Sequence, residues 1–409
     1  MVPNGWVKQP IGKICKSIVP GRNKPKVFNG DIPWVTTPEI DGKYIPSSKQ
    51  VNYISNNVAK ECGAKIVPEG AVVIAAVGDL GLTAIASEKL VLNQQLHAFV
   101  CPESVSNEYI AYFLSSQKTY MYTVASKTTI PYMNKSNCES IPILLPPLPE
   151  QQKIAKILST WDKVITTTDK LIATSQQQKK ALMQQLLTGK KRLVNPETGR
   201  VFEGNWEEHP LQYVLDKIID YRGQSVPKAQ SGIPLITARN VRMGYLDFSS
   251  QEYIDANQFS SWMTRGTPQV GDILFTTEAP LGMACRYPTV GIFGVGQRTV
   301  TLRVNSKLNS DFLLYYLLSA KGQLLIDLRS SGSTAKGIKS SELKKVKIYY
   351  PKDCQEQQKI ASVLTVADKE IELLQAKLAH LKDEKMALMQ QLLTGKRRVK
   401  VEDQMEIVS

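Results

Sequence analysis

The chain repeats part of its own sequence at a constant offset of 206 residues. The run Glu150–Ala155, EQQKIA, returns as Glu356–Ala361, and ALMQQLLTGK occurs at Ala181–Lys190 and again at Ala387–Lys396. Internal repetition constrains the architecture before any other pattern does, because each copy must fold in the same way. The sequence therefore predicts two units of one kind, each a variable block followed by one long helix.

Both repeated stretches are predicted to be helices that pair with each other. Their apolar residues alternate at steps of four and three, a period of 3.5 that is typical of supercoiled helix pairs. Prolines precede each helix, and Gly189 and Gly395 stand at the expected ends, followed by basic residues that favour helix capping over DNA contact. The residues predicted to pair are Ile154, Leu158, Trp161, Ile165, Ile172, Leu182 and Leu186 in the first helix and Ile360, Leu364, Ile371, Leu374, Leu378, Leu381, Leu388 and Leu392 in the second.

The variable blocks are related to each other more weakly than the helices. Trp6 and Pro10 correspond to Trp206 and Pro210, and short β-rich runs bounded by Gly and Pro dominate both blocks. The predicted fold class is α+β, with two similar domains separated by two long antiparallel coiled-coil helices in a pseudo-twofold internal repeat. The predicted segments are the first block 1–149, the first helix 150–193, the second block 194–355, the second helix 356–398 and the C-terminal tail 399–409.

Charge and composition narrow the class of partner. The net charge of +14 and the pI near 9.3 favour a polyanionic partner such as nucleic acid, with ordinary solvated charge as the alternative. Six scattered cysteines without a C-x-x-C pair are typical of reduced thiols in the cytoplasm rather than of a metal site. The sequence has no apolar signal core and no run of about 18 apolar residues, so we expect a cytoplasmic protein without a membrane partner.

Catalytic motifs of useful specificity are missing from the sequence. There is no Asn/Asp-Pro-Pro-Tyr/Phe run with a glycine-rich cofactor loop, and Gly189-Lys190 lacks the upstream glycine of a phosphate-binding loop. Three histidines without a local nucleophile motif make a catalytic triad improbable. We therefore expect a binding protein with no catalytic residue, no metal site and no cofactor of its own.

Several of these motifs resemble the specificity subunit of type I restriction-modification enzymes. They are the P-x-x-P-E-Q-Q-x-I-A-x-x-L run at Pro146–Leu158 with its mate at Pro351–Leu364, the helix end ALMQQLLTGK and the doubled layout of block and helix. The stretch Ser333–Ile338 also resembles the end of that family's domain, whereas the first block departs from the pattern at Lys127–Tyr132. The resemblance covers essentially the whole chain.

The resemblance implies a protein that reads a split, asymmetric sequence in double-stranded DNA, with one half-site for each block. It implies that the antiparallel helices set the unread gap between the half-sites. The implied protein partners are two modification (methyltransferase) subunits, which bind S-adenosylmethionine and methylate adenine N6, and restriction (translocase and nuclease) subunits, which use ATP and Mg. None of that chemistry belongs to this chain.

Candidate DNA contacts follow from the chemistry of base edges and phosphates. Arg suits guanine, Asn and Gln suit adenine, and Lys, Arg and hydroxyl groups suit phosphates. Clusters of these residues in polar loops favour DNA contact, although an ordinary surface role is the alternative for any single residue. The candidates are Arg22, Lys24, Thr36, Thr37, Gln94, Gln95, Lys127 and Lys135 in the first block and Tyr221, Arg222, Arg239, Asn240, Arg242, Gln297, Arg298, Lys336 and Lys339 in the second.

Two other functions stay open from the sequence. One is a fused restriction enzyme with its own nuclease activity, against which the missing catalytic motifs argue. The other is a non-catalytic coiled-coil scaffold without a role on DNA, which salt-dependent DNA binding would distinguish.

Overall fold

The computed structural model describes residues 2–21, 23–126, 128–221, 226–332 and 336–401. It divides into two compact units. The first unit is Met1–Asp169 together with Ala376–Ser409, and the second is Lys170–Gln375. Each unit therefore contains one variable block and a part of both long helices.

The first block is built of short strands and short helices. Its strands β1–β11 are Val7–Pro10, Lys16–Ile18, Ile32–Val35, Tyr44–Ile45, Tyr53–Ile54, Ile66–Val67, Val72–Ala75, Thr83–Ala86, Leu90–Leu92, Leu96–Val100 and Pro142–Leu145. Its helices α1–α5 are Ile11–Ile14, Asn56–Glu61, Asn107–Ser116, Lys118–Val124 and Lys135–Glu139, and a 3₁₀ turn covers Thr37–Glu39. The long helix α6 follows at Leu148–Leu186.

The second block has the same make-up. Its strands β12–β21 are Trp206–Pro210, Leu215–Asp220, Lys228–Ala229, Ile233–Ile236, Glu252–Ile254, Ile273–Thr276, Ala284–Arg286, Gly294–Val295, Thr299–Val304 and Lys347–Pro351. Its helices α7–α11 are Leu211–Val214, Phe259–Trp262, Ser310–Leu318, Ala320–Asp327 and Ser340–Leu343, and a 3₁₀ turn covers Met263–Arg265. The second long helix, α12, is Cys354–Leu392.

The sheets of the two blocks follow one plan. In the first block β1 pairs with β11, a five-stranded sheet has the order β2-β10-β7-β8-β4, and a four-stranded sheet has the order β5-β3-β9-β6. In the second block β12 pairs with β21, and two four-stranded sheets have the orders β13-β20-β17-β18 and β14-β16-β15-β19. Both blocks share one parallel pair, β3 with β9 and β15 with β19, and the first block has a second parallel pair, β4 with β8. Because parallel strands end at the same edge of a sheet, the loops that follow them meet there.

Each unit has its own apolar core, in which the two long helices run antiparallel. In the first unit the start of α6, with Ile154 and Leu158, and the end of α12, with Leu392, pack on Tyr109 and Phe113 of α3. The second unit repeats this packing with the roles of the helices exchanged. The residues involved there are Ile360 and Leu364 of α12, Leu186 of α6, and Phe312 and Tyr316 of α9.

Every residue predicted to pair in the long helices is buried or half-buried. Apolar residues of the same helices that lie off the predicted seam, such as Val164, Leu171, Val366 and Leu373, are exposed. Each helix has 39 residues, about 58 Å at 1.5 Å per residue. In the part of the chain that the structure describes, no helix has the length and apolar character needed to cross a membrane.

The repeated Glu-Gln-Gln motif joins the start of each long helix to its surroundings. Buried Glu150 accepts two hydrogen bonds of 2.7 Å from Arg398, and a third, of 3.1 Å, from the indole nitrogen of Trp6. Buried Glu356 forms the equivalent two-point contact with Arg192, at 2.7 Å for its Nη2. Arg192, which the sequence placed in a basic run after the first helix, therefore binds a carboxylate at the start of the other helix.

The first glutamine of the motif ties each helix to the block. The Gln151 amide donates to the carbonyl of Pro146 at 2.8 Å and accepts from the backbone N–H of Ser106 at 2.8 Å. Gln357 makes the same pair of contacts with Pro351 and Asn309. Since Ser106 and Asn309 cap α3 and α9, the motif fixes each long helix against the adjacent short helix.

Candidate nucleic-acid interface

Three segments of the second unit meet beyond the carboxyl end of β19. The backbone N–H of Thr277 donates to the carbonyl of Arg298 at 2.9 Å, and the N–H of Ile338 donates to the carbonyl of Thr277 at 2.9 Å. Glu278 and Ser331 both form bridges with Gly337. The sequence candidates Gln297, Arg298, Lys336 and Lys339 thus lie on connected loops. We call residues 277–278, 297–298, 331–332 and 336–339 the second loop cluster.

The first unit contains the same arrangement. The N–H of Ala76 donates to the carbonyl of Gln95 at 2.8 Å, and the N–H of Met133 donates to the carbonyl of Ala76 at 2.8 Å. The side-chain oxygen of Gln95 also accepts from the hydroxyl of Thr37 at 3.2 Å and from the amide of Asn93 at 3.3 Å. We call residues 36–37, 76–78, 93–95, 126 and 128–133 the first loop cluster.

The second loop cluster carries charged side chains at its surface. The Nε of Arg298 lies 3.1 Å from a carboxylate oxygen of Glu278, and the two side chains are 59% and 47% exposed. Lys336 pairs with Asp327 at 2.6 Å, and the side chain of Lys339 is exposed. Arg298 adopts a φ of +66° and Ala279 a φ of +46°, and within the described ranges these two are the non-glycine residues with positive φ. Strained backbone of this kind tends to gather at functional sites.

Arg239 and Arg242 follow β15. Arg239 is exposed, and the structure gives its side chain no hydrogen bond or ion pair with any described residue. Arg242 pairs with Asp247 at 3.1 Å and keeps 37% of its side chain exposed. Both arginines therefore remain available for phosphates or bases, Arg242 after exchange of an exposed ion pair that contributes little.

Two candidates are wrong because their side chains are buried and fully engaged. Asn240 is 2% exposed and accepts from both the backbone N–H and the hydroxyl of Thr237, while its amide donates to the carbonyls of Asp247 and Ser250. Tyr221 is 0% exposed, donates to the carbonyl of Gly266 and accepts from the N–H of Arg265. Neither side chain can reach a base or a phosphate in this structure.

The role of Asn240 follows from the repeat. In the first unit Thr36 donates through its N–H and hydroxyl to buried Glu39, both at 2.7 Å, three residues along the chain. Thr237 and Asn240 repeat this contact at 2.9 Å. Asn240 therefore closes the turn after β15, as Glu39 closes the turn after β3. The hydroxyl of Thr36, a predicted DNA contact, therefore already donates a hydrogen bond to Glu39 in this turn.

The remaining candidates of the first block are dispersed. Lys24 lies 5.8 Å above the ring of Trp34, and Gln94 is exposed beside Gln95. Lys135 begins α5 and pairs with Glu139 at 3.5 Å. Arg22, Lys127 and Arg222 lie outside the described residues.

His97 lies beside these loops but inside the core. It is 2% exposed, and burial lowers the pKa of its imidazole to about 4. His97 therefore stays neutral inside the fold. Gln95, two residues earlier, is exposed at the surface of the first loop cluster.

Sequence reasoning left Asn93 out of the candidate DNA contacts and interpreted Glu278 as an ordinary turn carboxylate. Aligning the two blocks through their backbone contacts pairs Ala76 with Thr277 and Gln95 with Arg298. In the same alignment Glu278, the second residue after β17, stands opposite Val77. In the described residues, no group of three or more His, Cys, Asp or Glu side chains is placed to hold a metal ion.

A groove borders the end of a long helix in each unit. In the second unit a cavity of about 1350 Å³ is lined by Met183, Gln184, Leu187 and Thr188 of the ALMQQLLTGK segment and by residues after α9. In the first unit a cavity of about 500 Å³ is lined by the identical residues of the other copy, which are Met389, Gln390, Leu393 and Thr394. We call these the second groove and the first groove.

Comparisons with known proteins agree with this architecture. The chain is 31% identical over 171 residues to the MjaIX specificity subunit of a type I restriction enzyme of Methanocaldococcus jannaschii, which covers 40% of this chain and 39% of that protein. It is 27% identical over 314 residues to the MjaVIII specificity subunit of the same organism, covering 71% and 70%. The first alignment thus spans well under half of that relative's length.

Solved structures share the fold. The S subunit of a type I restriction-modification system from M. genitalium superposes with a TM-score of 0.58 at 14% identity, covering 96% of this chain and 98% of that chain. A chain from a study of complex assembly and conformational transition in a type I R-M system gives a TM-score of 0.60 at 20% identity, covering 97% and 100%. At these identities the likeness concerns the fold alone, and it confirms the predicted α+β fold.

The family model for the type I restriction modification DNA specificity domain matches this chain twice. The matched residues are 3–174 and 216–383, so each match covers most of one block and most of the helix that follows it. The resemblance predicted from the sequence is confirmed. The relatives are named specificity subunits, which agrees with the predicted non-catalytic role. The chain therefore belongs to the type I restriction modification DNA specificity family.

Proposed function

We propose that this chain is the cytoplasmic, non-catalytic DNA-reading subunit of a type I restriction-modification complex. Each unit reads one half of a bipartite, asymmetric DNA target, and the long helices set the gap between the halves. The observation that carries this proposal is the pair of loop clusters. They share a backbone arrangement at the carboxyl end of a parallel strand pair, but they present different side chains, Gln95 in the first unit and Arg298 in the second.

The repeated sequence at the two helix ends is the argument for two copies of one protein partner. In both copies of ALMQQLLTGK the alanine, both glutamines and the lysine are exposed, so packing within the chain does not require their identity. Gln184 and Gln390 line the two grooves at equivalent places. We assign the grooves to two modification subunits, which bring S-adenosylmethionine and methylate adenine. Restriction subunits with ATP and Mg join that complex.

The function is tested by selecting sequences from a random DNA library with the chain alone and with its modification subunit. We expect the complex to select two short defined sequences separated by a gap of fixed length. Binding should weaken steeply as salt is raised, because phosphate contacts release counterions. A single continuous motif, or no selection at all, would contradict a bipartite reader. If the chain and the complex bind no DNA at any salt concentration, the scaffold function is favoured.

Catalysis is tested on the same preparation. The chain alone is incubated with DNA, Mg, ATP and labelled S-adenosylmethionine, and we expect neither label transfer nor cleavage. Cleavage that persists after other subunits are removed would favour a fused nuclease.

The two partner sites are tested by counting subunits. Gln184→Arg and Gln390→Arg each place a bulky charge in one groove, so each variant should bind one modification subunit where the wild type binds two. Native mass spectrometry gives the count. Gln177→Arg is the matched control, because Gln177 is exposed on α6 outside the repeated segment. Two bound subunits in both groove variants would contradict the assignment.

A further inference from the structure

We infer that Arg298 reads a guanine in the second half-site and that Glu278 positions its guanidinium for that contact. The inference rests on the proposed function and adds the base and the positioning residue. Four observations carry it, which are the place of Arg298 in the loop cluster, its backbone conformation, its ion pair and the contrast with Gln95.

The backbone of Arg298 is held in place by the surrounding structure. Its carbonyl accepts from the N–H of Thr277 at 2.9 Å and from the Thr277 hydroxyl at 3.2 Å, and Thr277 is 1% exposed. A φ of +66° is unfavourable for a residue with a Cβ, whereas glycine adopts it readily and asparagine more readily than arginine. The fold holds a strained backbone and projects an arginine from it.

The ion pair fixes one side of the guanidinium. In the ion pair with Glu278 the Nε lies 3.1 Å from the carboxylate. A guanidinium held through Nε can still present its two Nη groups as a fork of donors. Such a fork matches O6 and N7 of guanine in the major groove, and this pairing is the commonest specific contact of arginine. Because both side chains are about half exposed, the ion pair itself contributes little stability. Its effect is to restrict the orientation of a flexible side chain before DNA arrives.

The first unit supplies the contrast. The carbonyl of Gln95 takes the same hydrogen bond from Ala76 that the carbonyl of Arg298 takes from Thr277, so the two residues occupy equivalent positions. Gln95 presents an amide, and Val77 stands where the second unit has Glu278. The two units therefore offer different chemistry to the equivalent base pair of each half-site, as an asymmetric target requires.

The experiment is a random-library selection with the chain bound to its modification subunits. The wild type should require a guanine at one position of the second half-site. Arg298→Gln should lose that preference, by roughly 5- to 150-fold against the other bases, and shift it toward adenine. The first half-site should keep its sequence.

A second variant separates recognition from folding. Arg298→Gly suits the left-handed backbone, so its thermal unfolding temperature should match or exceed that of the wild type while the guanine preference is lost. An unchanged consensus in both Arg298 variants would overturn the inference. An equal loss on every sequence, including non-specific DNA, would overturn it too, since Arg298 would then be a phosphate contact.

The positioning role of Glu278 is tested separately, through the affinity and the base preference of Glu278 variants. Glu278→Ala removes an anion beside the DNA and also frees the guanidinium, so non-specific affinity should rise while the preference for guanine falls. Glu278→Asp should restore part of the preference. Loss of preference at a different base pair would show that Glu278 reads DNA directly, and this would overturn its positioning role. A wild-type complex that selects no bipartite sequence would refute the proposed function instead, before these variants are compared.

Discussion

Arg239 and Asn240 are neighbours whose side chains both suit DNA bases, yet the fold uses them in different ways. Arg239 is exposed after β15, whereas Asn240 is buried and makes four hydrogen bonds that close the turn. Residue chemistry alone could not separate them, because the separation depends on which side chain faces inward.

Asn240→Ala should therefore destabilise the second unit, because the side chain stabilises the fold and does not contact DNA. Removing the amide leaves buried donors and acceptors without partners, which costs about 1–3 kcal/mol for each unsatisfied group. Thermal or denaturant unfolding measures the effect. Arg239→Ala is the matched control and should change stability by less than about 0.5 kcal/mol. Equal stability of the two variants would contradict this assignment.

His97 makes the stability of the first unit depend on pH. In the unfolded chain it takes up a proton near the ordinary pKa of 6.5, but burial lowers its pKa in the fold to about 4. The contribution of neutral, buried His97 to the free energy of unfolding is fully present above pH 6.5. It is lost as the pH falls toward 4, and the total loss is about 3 kcal/mol.

His97→Val, which installs the residue found at the equivalent Val300, should flatten this dependence. Denaturant unfolding between pH 7 and pH 4 tests the expectation. A slope identical to that of the wild type would assign the pH dependence to other groups.

At the scale of elements, the start of each long helix depends on a residue beyond the end of the other. Glu356 is 0% exposed and is compensated by Arg192, as Glu150 is by Arg398. Arg192→Met keeps most of the side-chain volume but leaves a buried carboxylate without its partner. Such a loss costs about 3–5 kcal/mol.

The Arg192→Met variant should show early unfolding of the second unit in calorimetry or hydrogen exchange. Lys191→Met is the control, because Lys191 is exposed next to it. Restoration of stability by the double variant Arg192→Met, Glu356→Met would confirm that the penalty comes from the uncompensated charge. Lack of any effect in Arg192→Met would show that solvent reaches Glu356.

The helices were the most predictable elements, and the loops were the least. A period of 3.5 is a local property, so positions such as Ile154 and Leu364 could be placed on the paired face from sequence alone. The fold class and the internal repeat also followed from the sequence. The contact between Arg298 and Glu278 could not, because it joins two loops that come together only when β17 pairs with β20. Tyr221 was misassigned for the same reason, since its burial depends on Trp262 and Gly266, far along the chain.

At the scale of the whole molecule, the long helices are proposed to set the gap between half-sites. Four residues inserted into both α6 and α12, after Asp169 and after Gln375, should lengthen each helix by about 6 Å, close to two base-pair steps. The insertion is a stutter in the heptad pattern, so local unwinding is expected. Library selection with the complex should return unchanged half-sites and a longer gap. A new base preference with the original gap would refute this role.

The two units also differ in how the chain completes them. The second unit is one continuous stretch, Lys170–Gln375, whereas the core of the first unit around Ile154 and Leu158 is closed by the end of α12, with Leu392 and Leu393. A growing polypeptide therefore begins the first unit before the second and completes it only after the second has been made. Until Leu392 leaves the ribosome, the apolar surface that it covers stays exposed to chaperones and to other nascent chains. A premature stop after Gln375 would release a protein with a closed second unit and an open first one, and such a product is a target for proteolysis.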